Sequence, residues 1–469
     1  MKKDKRLLSE IAVLGIKAAL YVLLCAVFFV LMSINNPQIL CISRTAAVSL
    51  LTFFMFGVVM VSVYGGFAVG RQKSRPIAIS LSLAVVLTDV VTYLQLQIMN
   101  VNEANNDHLI LFGPDIWLLL IAAALQVVLI TLFVRAANRL FFRFHAPQRC
   151  LLITAGEGDA SVIVRKIERL PLQYSVRQVL DYRDDALFRA LDACDTVFFC
   201  GVPAGERVHL MERCYALGKN IYIHMGVADV ITHSAEHIVL DDLPFLEMEN
   251  GALSIEQRFI KRAMDIAVSL VALVVLSPLL LVCAIAIKCC DRGPVIYRQR
   301  RATRGGRIFE IYKFRTMRVC AGTEKQHSAT RDDERITPVG RVLRKCRVDE
   351  LPQLINILKG DMSLVGPRPE MLENVTQYTR DVPEFSYRLK VKAGLTGFAQ
   401  IEGKYNTSPK DKMIMDLLYI ERYSIWLDVK LMLRTLTVFF KADSTEAFDE
   451  ARREETKEIS EPEKRRHEG

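Results

Sequence analysis

The chain has 469 residues, 51% of them hydrophobic, and its mean hydropathy of +0.22 argues against an entirely soluble protein. Its formal net charge of +9 indicates cations that flank membrane helices on the cytoplasmic side and bind anionic partners. Nucleic-acid binding is the second interpretation of this charge. The 11 cysteines include no C-x-x-C pair, which argues against a zinc or disulfide framework and suits a reducing cytoplasm.

Four apolar stretches come first, and each approaches or exceeds the ~20 residues that a membrane-spanning helix needs. They cover residues 11–34, 45–69, 76–99 and 116–134. Cations precede the first stretch, separate the second from the third and follow the fourth. In the other two loops the one Lys or Arg is Arg44. By the positive-inside rule both ends are cytoplasmic, so residues 1–145 are predicted to form a four-helix transmembrane bundle. The first stretch is too long for a signal peptide and lacks a cleavage site.

Residues 146–240 alternate short strands with helical runs, which predicts a doubly wound, Rossmann-like domain on the cytoplasmic side. A glycine loop with Gly156 and Gly158 follows the first predicted strand, but Ser161 stands where a dinucleotide-binding fingerprint has its third glycine. A domain that binds nothing, or that only regulates, is therefore the more frequent case.

An acidic linker is predicted at residues 241–258, and an uncharged stretch, 266–287, follows it. Cations flank this stretch on both sides, so the positive-inside rule places both of its ends in the cytoplasm. Ser277 and Pro278 interrupt its middle, where the proline removes a backbone hydrogen bond and the serine can satisfy a freed carbonyl. We predict a re-entrant helix–break–helix over about residues 259–290, with a simple fifth span as the alternative.

Two charged segments lie beyond this stretch. Residues 292–318 contain nine Lys or Arg and one acid, with aromatic residues between them. Such a segment can bind nucleic acid, but directly after a membrane helix the phosphates of lipid or nucleotide are closer partners. Plain juxtamembrane charge is the alternative. Residues 443–469 are charged and almost without apolar residues, which predicts a disordered tail.

An acidic pair, Asp349 and Glu350, precedes Pro352. Because proline is tolerated in the first turn of a helix and glycine ends one, a helix is predicted from Gln353 to the residue before Gly360. The two carboxylates then lie at a helix N-terminus, and oxygen ligands of this kind suit Mg²⁺, which also takes up substrate phosphate. From these residues alone, simple helix capping is an equally good explanation.

Two further cations are candidates for phosphate binding. Arg368 stands between two prolines that hold it in a stiff, extended setting, and its planar guanidinium can bind phosphate through two hydrogen bonds. Lys392 lies in a glycine-containing basic loop. A turn that merely contains a cation is the commoner event for each.

The motifs acquire more meaning in their order along the chain. They are Lys261-Arg262-x-x-Asp265, Ser277-Pro278, Gly293-Pro294, Lys313-Phe-Arg315-Thr-Met317, Asp333-x-Arg335-Ile-Thr337-x-x-Gly340, Leu343-Arg344, Asp349-Glu-Leu-Pro-Gln353, Asn356, Gly360-x-Met-Ser-Leu-Val-Gly-Pro-Arg368-Pro and Gly394-x-Thr-Gly397. This order resembles the bacterial sugar transferase family, the monotopic polyprenyl-phosphate phosphoglycosyl transferases, over residues 259–440. The N-terminal part resembles the large, exopolysaccharide-type members. Departures from the family pattern at Thr303 and at Arg347 and Val348 concern substrate detail.

The resemblance implies a membrane protein of mixed α and α/β fold, whose catalytic domain covers residues 259–442 and includes the re-entrant helix. It implies that Asp349 is the nucleophile that attacks the sugar-linked phosphorus of a UDP-sugar, releasing UMP and leaving a phosphosugar on the aspartate. Undecaprenyl phosphate would then take the phosphosugar. An ionised aspartate needs no general base for such an attack.

The resemblance also implies that Glu350, with Asp349, holds Mg²⁺, and that cations offset the charge of the phosphoryl group. Asp333 would orient one of these cations or lie near the metal. The residues expected at substrate phosphates are Lys313, Arg315, Asp333, Arg335, Arg368 and Lys392.

The implied place of the protein is the bacterial inner membrane, multi-pass, with the catalytic domain on the cytoplasmic face. Its implied role is the first membrane step of exopolysaccharide, capsule or O-antigen synthesis. The bilayer is a partner, nucleic acid is not, and the large N-terminal part offers surface for a homodimer. A nucleotide-binding sensor or scaffold and a transporter of lipid-linked sugars are the rival functions. The sugar itself stays open.

Overall fold

The computed structural model describes residues 2–103, 113, 115–248, 253–318, 335–404 and 407–438, and gives the backbone alone for 2–14, 101–103, 157–159 and 291. Asp333 and the predicted tail at 443–469 lie outside the described residues. The chain divides into two compact units, Met1–His224 and Met225–Gly469. The predicted domain boundaries are finer than this division and stay predictions.

The first unit begins with four long helices, which coincide with the four predicted apolar stretches. They are α1 (Lys2–Met32), α2 (Arg44–Val63), α3 (Ser74–Glu103) and α4 (Asp115–Phe144). Each is long and apolar enough to cross a membrane. They bury apolar residues such as Phe28, Phe53 and Leu96 against one another, while Leu51 and Leu132 remain exposed on outer faces. Outer faces of this kind suit contact with lipid.

A parallel sheet follows in the same unit, as predicted. Its strands are β1 (Gln148–Thr154), β2 (Tyr174–Asp181), β3 (Thr196–Cys200) and β4 (Asn220–Ile223), in the order β2-β1-β3-β4. Helices α5 (Glu157–Glu168), α6 (Leu187–Ala193) and α7 (Ala204–Ala216) connect them. Successive residues of β1 belong to different apolar clusters, Leu151 with Leu187 and Leu152 with Ile167, because neighbouring side chains of a strand point to opposite faces. The sheet alone does not identify a nucleotide site.

The second unit opens with helix α8 (Val227–His233) and a hairpin of β5 (Glu236–Leu240) and β6 (Leu243–Glu247). The hairpin turn is two residues long, and Asp241 has a φ of 61°, which suits a tight turn between antiparallel strands. The predicted acidic linker, 241–258, therefore contains a strand and the first residues of the next helix.

Helix α9 (Ile255–Asp291) contains the predicted re-entrant stretch. It is one continuous helix through Pro278, so the predicted interruption at Ser277 and Pro278 is wrong as regards secondary structure. A proline in a helix interior removes only a local backbone bond, and the Ser277 hydroxyl donates to the carbonyl of Val274 at 2.8 Å. Among the described residues, this helix is the fifth that is apolar and long enough to cross a membrane.

The rest of the unit is a compact α/β module. An antiparallel pair, β7 (Ile296–Ala302) and β8 (Ile308–Phe314), and a parallel pair, β9 (Ser363–Val365) and β10 (Gly394–Thr396), provide its strands. Its helices are α10 (Pro338–Lys345), α11 (Gln353–Lys359), α12 (Leu372–Asp381), α13 (Phe398–Glu402), α14 (Pro409–Glu421) and α15 (Ile425–Val438). Its main core joins β8 and α11 to α14 and α15 and contains Ile311, Ile357, Ile420 and Leu431.

Candidate active site

The acidic pair lies in a single 3₁₀ turn, Val348–Glu350, directly before α11. Arg347 precedes the turn in the left-handed region, with a φ of 53°. Helix α11 begins at Gln353 and ends at Lys359, and Gly360 closes it with a φ of 90°, as the sequence predicts. The turn and the short helix together hold both carboxylates beside strand β8.

Glu350 is fixed between two cations. Its Oε1 accepts a hydrogen bond from Lys313 Nζ at 2.9 Å and one from Arg368 Nη2 at 2.6 Å. Arg368 Nη1 lies 3.4 Å from the other carboxylate oxygen, so the guanidinium spans the carboxylate. Only 15% of the Glu350 side chain is exposed, so solvent screens these ion pairs much less than surface pairs.

The two neighbouring carboxyls differ in acidity. Burial alone would raise the pKa of Glu350, but Arg368 and Lys313 outweigh it and hold that pKa well below its usual range. Burial, with the negative charge of Glu350 added, raises the pKa of Asp349 to about 6, against the lowering effect of Lys313, Arg344 and Arg368. Glu350 is therefore a permanent anion at neutral pH, while Asp349 is mostly ionised there and can accept a proton under mildly acidic conditions.

The loop that carries Arg368 is held by close backbone packing. A Cβ added to Gly366 would lie 2.4 Å from the Lys392 carbonyl oxygen, and one added to Gly394 would lie 2.1 Å from the Gly366 nitrogen. Only glycine fits at either position, because real Cβ atoms do not approach backbone so closely. The carbonyl of Arg368 accepts a bond at 3.0 Å from Arg388, whose guanidinium is paired with buried Asp416 at 2.6 Å.

A second buried network joins helix α9 to the same loop. Lys261 Nζ donates to Asp428 Oδ2 at 2.5 Å and to the Val365 carbonyl at 3.1 Å. The Tyr419 hydroxyl can donate its proton to either of two acceptors, Asp428 Oδ1 at 2.7 Å or the Val365 carbonyl at 3.2 Å. Asp265 accepts bonds from the Ser363 hydroxyl and the Leu364 amide. The strand that leads to Arg368 is thus anchored to α9 by charged groups.

The other residues predicted from sequence are placed differently. The Arg315 guanidinium is buried over Gly293, where a Cβ would collide with it. The Arg335 carbonyl accepts from the Arg318 amide at 2.9 Å. Lys392 lies at the opposite end of α11, near Gly360, and the recorded hydrogen bonds of the Glu350 side chain are to Lys313 and Arg368.

The donor set limits which metal could be held. Among the described residues there is no cluster of three His, Cys, Asp or Glu side chains that could hold an ion. Asp349 and Glu350 offer two carboxylates, and Glu350 Oε1 already accepts from two cations. Such a pair fits an ion that takes one or two carboxylates and completes its shell with water and substrate phosphate, as Mg²⁺ does, and not a cage made of protein alone.

Comparison with known proteins shows the family to which the C-terminal α/β module is similar. The sequence profile described as bacterial sugar transferase matches residues 256–442. A UDP-glucose:undecaprenyl-phosphate glucose-1-phosphate transferase of Caulobacter vibrioides is 39% identical over 189 residues, which are 39% of this chain and 71% of the relative. The chain belongs to the bacterial sugar transferase family.

Two longer members of the bacterial sugar transferase family are also similar. A UDP-N-acetylgalactosamine-undecaprenyl-phosphate N-acetylgalactosaminephosphotransferase of Aeromonas hydrophila is 40% identical over 239 residues, 50% of this chain and 55% of the relative. A UDP-glucose:undecaprenyl-phosphate glucose-1-phosphate transferase of Escherichia coli K12 is 39% identical over 221 residues, 45% of this chain and 47% of the relative. The chain thus spans about half the length of these two curated relatives.

In this bacterial sugar transferase, sequence reasoning missed the buried ionic supports of the site. Asp416 and Asp428 are 1% and 0% exposed on helices α14 and α15, and each pairs with a distant cation. The available signal was an acid within an apolar helical face, since a buried charge is rarely left without a partner. In the sequence Arg344 is only one residue of a motif, yet in the structure its charge lowers the pKa of Asp349 and its Nε donates to the Thr316 hydroxyl at 2.9 Å.

Proposed function

We propose that this protein transfers a phosphosugar from a UDP-sugar to undecaprenyl phosphate and releases UMP. The observation that carries the proposal is the pair Asp349 and Glu350, in which one carboxylate is fixed by Lys313 and Arg368 and the other is not pinned by any ion pair that the structure records. The names of the relatives give the same class of donor and acceptor. The described geometry supports a phosphoryl-transfer site because two cations meet at Glu350, directly beside the second carboxylate.

The proposed reaction has two displacements at phosphorus. In the first, a carboxylate oxygen of Asp349 attacks the sugar-linked phosphorus, the bond to the UMP oxygen breaks, and the phosphosugar remains on the aspartate. In the second, a phosphate oxygen of undecaprenyl phosphate attacks the same phosphorus, and the bond to Asp349 breaks. The aspartate is regenerated as a carboxylate, and the product is undecaprenyl-diphosphate-sugar.

Charge placement explains why these residues suit the task. Arg368 and Lys313 are held by Glu350 before substrate arrives, so they can stabilise charge on the phosphoryl oxygens without reorganising. Because the pKa of Glu350 is so low, it keeps both cations in place over the whole neutral range. Asp349 is the better nucleophile of the two because its carboxylate is the more basic.

We propose Mg²⁺ as the cofactor, held by Glu350 and Asp349 together with substrate phosphate. When bound, the ion would neutralise phosphate charge and assist the leaving group. The two-carboxylate donor set supports an ion shared with substrate.

For the membrane we propose that α9 is kinked at Pro278 without ending there, so that it is re-entrant, and that the module lies on the cytoplasmic face of the inner membrane. Both halves of α9 pack on one compact module, Leu273 in the main core and Ile287 against Phe314 and Leu343. The middle of the helix stays apolar and exposed, with Val275 at 68% and Val282 at 63%. A spanning helix would separate its two ends by the bilayer, which is hard to reconcile with one module that contacts both.

The finer expectations from sequence stay proposals on the same footing. They comprise the four-helix bundle, the Rossmann-like domain, the homodimer and the role in exopolysaccharide or capsule synthesis. The exposed outer faces of α2 and α4 support the four-helix bundle, and the parallel sheet supports the Rossmann-like domain.

The decisive experiment uses membranes that contain the full chain, radiolabelled UDP-glucose, UDP-galactose or UDP-N-acetylgalactosamine, Mg²⁺ and undecaprenyl phosphate. We expect UMP release and a labelled lipid with one of these donors, both reduced by about 10⁴-fold or more in Asp349→Asn, because the nucleophile is lost. Asp381→Asn, an exposed position on α12, is the matched control and should keep full activity. Full turnover in Asp349→Asn would refute the mechanism.

A further inference from the structure

Four cations converge at the C-terminal end of α11, away from the acidic pair. We call Arg262, Arg304, Arg307 and Lys392 the distal cationic cluster. A Cβ placed on Gly360 would lie 3.5 Å from Arg262 Nη2 and 3.8 Å from Lys392 Nζ, so both groups border one point.

The turn that carries Arg304 and Arg307 is tied to the same point. Thr303 Oγ1 donates to the Asp361 carbonyl at 2.9 Å and accepts from the Ala393 amide at 3.2 Å. These bonds bring the residue before Arg304 against the residue after Lys392. The turn itself is open, because a Cβ on Gly305 or Gly306 would meet no atom within 4 Å.

The cluster has more positive charge than its neighbours compensate. Arg307 pairs with Asp361 at 3.0 Å, and Arg262 donates to two neutral carbonyls, those of Ile357 and Leu358. Within the described part of the chain, the side chains of Arg304 and Lys392 have no recorded hydrogen bond or ion pair. Asp265 is the carboxylate whose charge acts on Lys392. Counted against Asp361 and Asp265, the four cations of the cluster leave two positive charges uncompensated.

Half-burial makes this arrangement costly for Lys392. The pKa of Lys392 is lowered, first by burial and then by the positive charges of Arg262, Arg307 and Arg304. The negative charge of Asp265 opposes this effect but does not outweigh it. A cation that is both desolvated and repelled is stabilised when an anion reaches it.

Helix capping does not account for the cluster. Cations do favour the C-terminal end of a helix, but Arg262 already binds the last carbonyls of α11, and Lys392 binds none of them. The cluster is also separate from the acidic pair, because the seven residues of α11 span about 10 Å.

We propose that the distal cationic cluster is a second anion site, which binds a phosphate group other than the one that reacts. A phosphate dianion would match the two uncompensated charges and accept bonds from Lys392 and Arg304. A membrane lipid is within reach, because apolar residues of α9 beside Arg262 are exposed, Phe259 at 74% and Ile266 at 40%. A soluble nucleotide carries the same phosphate chemistry and is the other source. The proposal does not depend on the transferase chemistry.

The test measures binding to the full chain in a neutral detergent. One arm titrates short-chain phosphatidylglycerol, and the other titrates UMP, with short-chain diacylglycerol as the phosphate-free control. The variant Arg304→Gln/Lys392→Gln is compared with Arg380→Gln/Lys410→Gln, which removes the same charge from exposed positions on α12 and α14. We expect the dissociation constant of one phosphate ligand to rise about tenfold in the first variant only.

The two arms identify the source. A loss confined to phosphatidylglycerol assigns the site to lipid, and a loss confined to UMP assigns it to a soluble nucleotide. Arg304→Lys/Lys392→Arg keeps the charge and should keep binding, which excludes misfolding as the cause. Equal binding by the wild type and both glutamine variants in both arms would overturn the proposal. Both arms measure binding without turnover, so failure here is distinct from failure of the transferase mechanism.

Discussion

The two ends of helix α11 place charge in opposite ways. At the N-terminal end, one carboxylate, Glu350, accepts from two cations, so the charged groups hold each other in position. At the C-terminal end, Arg262 and Lys392 meet over Gly360, and Lys392 has no acceptor among the described residues. We call the N-terminal end, with Glu350, Lys313 and Arg368, the matched end, and the C-terminal end, with Arg262 and Lys392, the unmatched end. The matched end is organised before any ligand binds, whereas the unmatched end is complete only with an anion. Removing one cation should therefore have different consequences at the two ends.

The largest difference is expected for the first displacement. Arg368→Ala should slow UMP release about 10³-fold, because it removes a cation from the phosphoryl site and leaves Glu350 with one partner fewer. Arg304→Ala removes a cation at the other end and, at saturating UDP-sugar, should change UMP release by no more than about twofold, as an exposed charge away from the reacting phosphorus. Single-turnover UMP release measures both. Equal losses would mean that the two ends form one site.

The anchor behind the matched end should control stability. Lys261→Met leaves the Asp428 carboxylate buried without its cation and should cost about 3 kcal/mol or more of folding free energy. The double variant Lys261→Met/Asp428→Leu removes both charges and should recover part of that loss. Thermal unfolding of the full chain in detergent measures the effect. A single variant as stable as the wild type would show that the network does not hold the β9 strand to α9.

The sequence predicted the local parts of this contrast better than the distant ones. Pro352 and Gly360 define α11 because proline and glycine act on their own backbone, and the helix begins and ends where these residues require. The pairing of Lys261 with Asp428 joins residues 167 apart, and no local pattern encodes it. The same limit applies to Lys392: its chemistry predicts a phosphate contact like that of Arg368, although α11 separates it from the acidic pair that Arg368 contacts. Pro278 predicts an interruption of α9, but the helix accommodates the loss of one backbone bond.

The smallest effect is expected in the pH profile, and it tests the acidic pair directly. The reactive form of Asp349 is the carboxylate, and its pKa is raised to about 6, first by burial and then by Glu350. UMP release at limiting substrate, which reports the pKa of the free enzyme, should therefore be nearly constant above pH 7 and fall about tenfold for each unit below about pH 5.5, as the nucleophile is protonated. Glu350 adds no limb near neutral pH, because its own pKa lies far lower.

Glu350→Gln separates the two causes of that raised pKa. It removes the neighbouring negative charge and leaves Lys313 and Arg368 free to act on Asp349, so the acidic limb should move to lower pH, whatever the residual rate. Burial is unchanged by the substitution and would by itself keep the limb where it is. A limb that stays near pH 6, or that moves to higher pH, would show that Glu350 does not set the basicity of Asp349 through its charge. The two carboxyls would then act independently, and the matched end of α11 would serve only to hold Arg368.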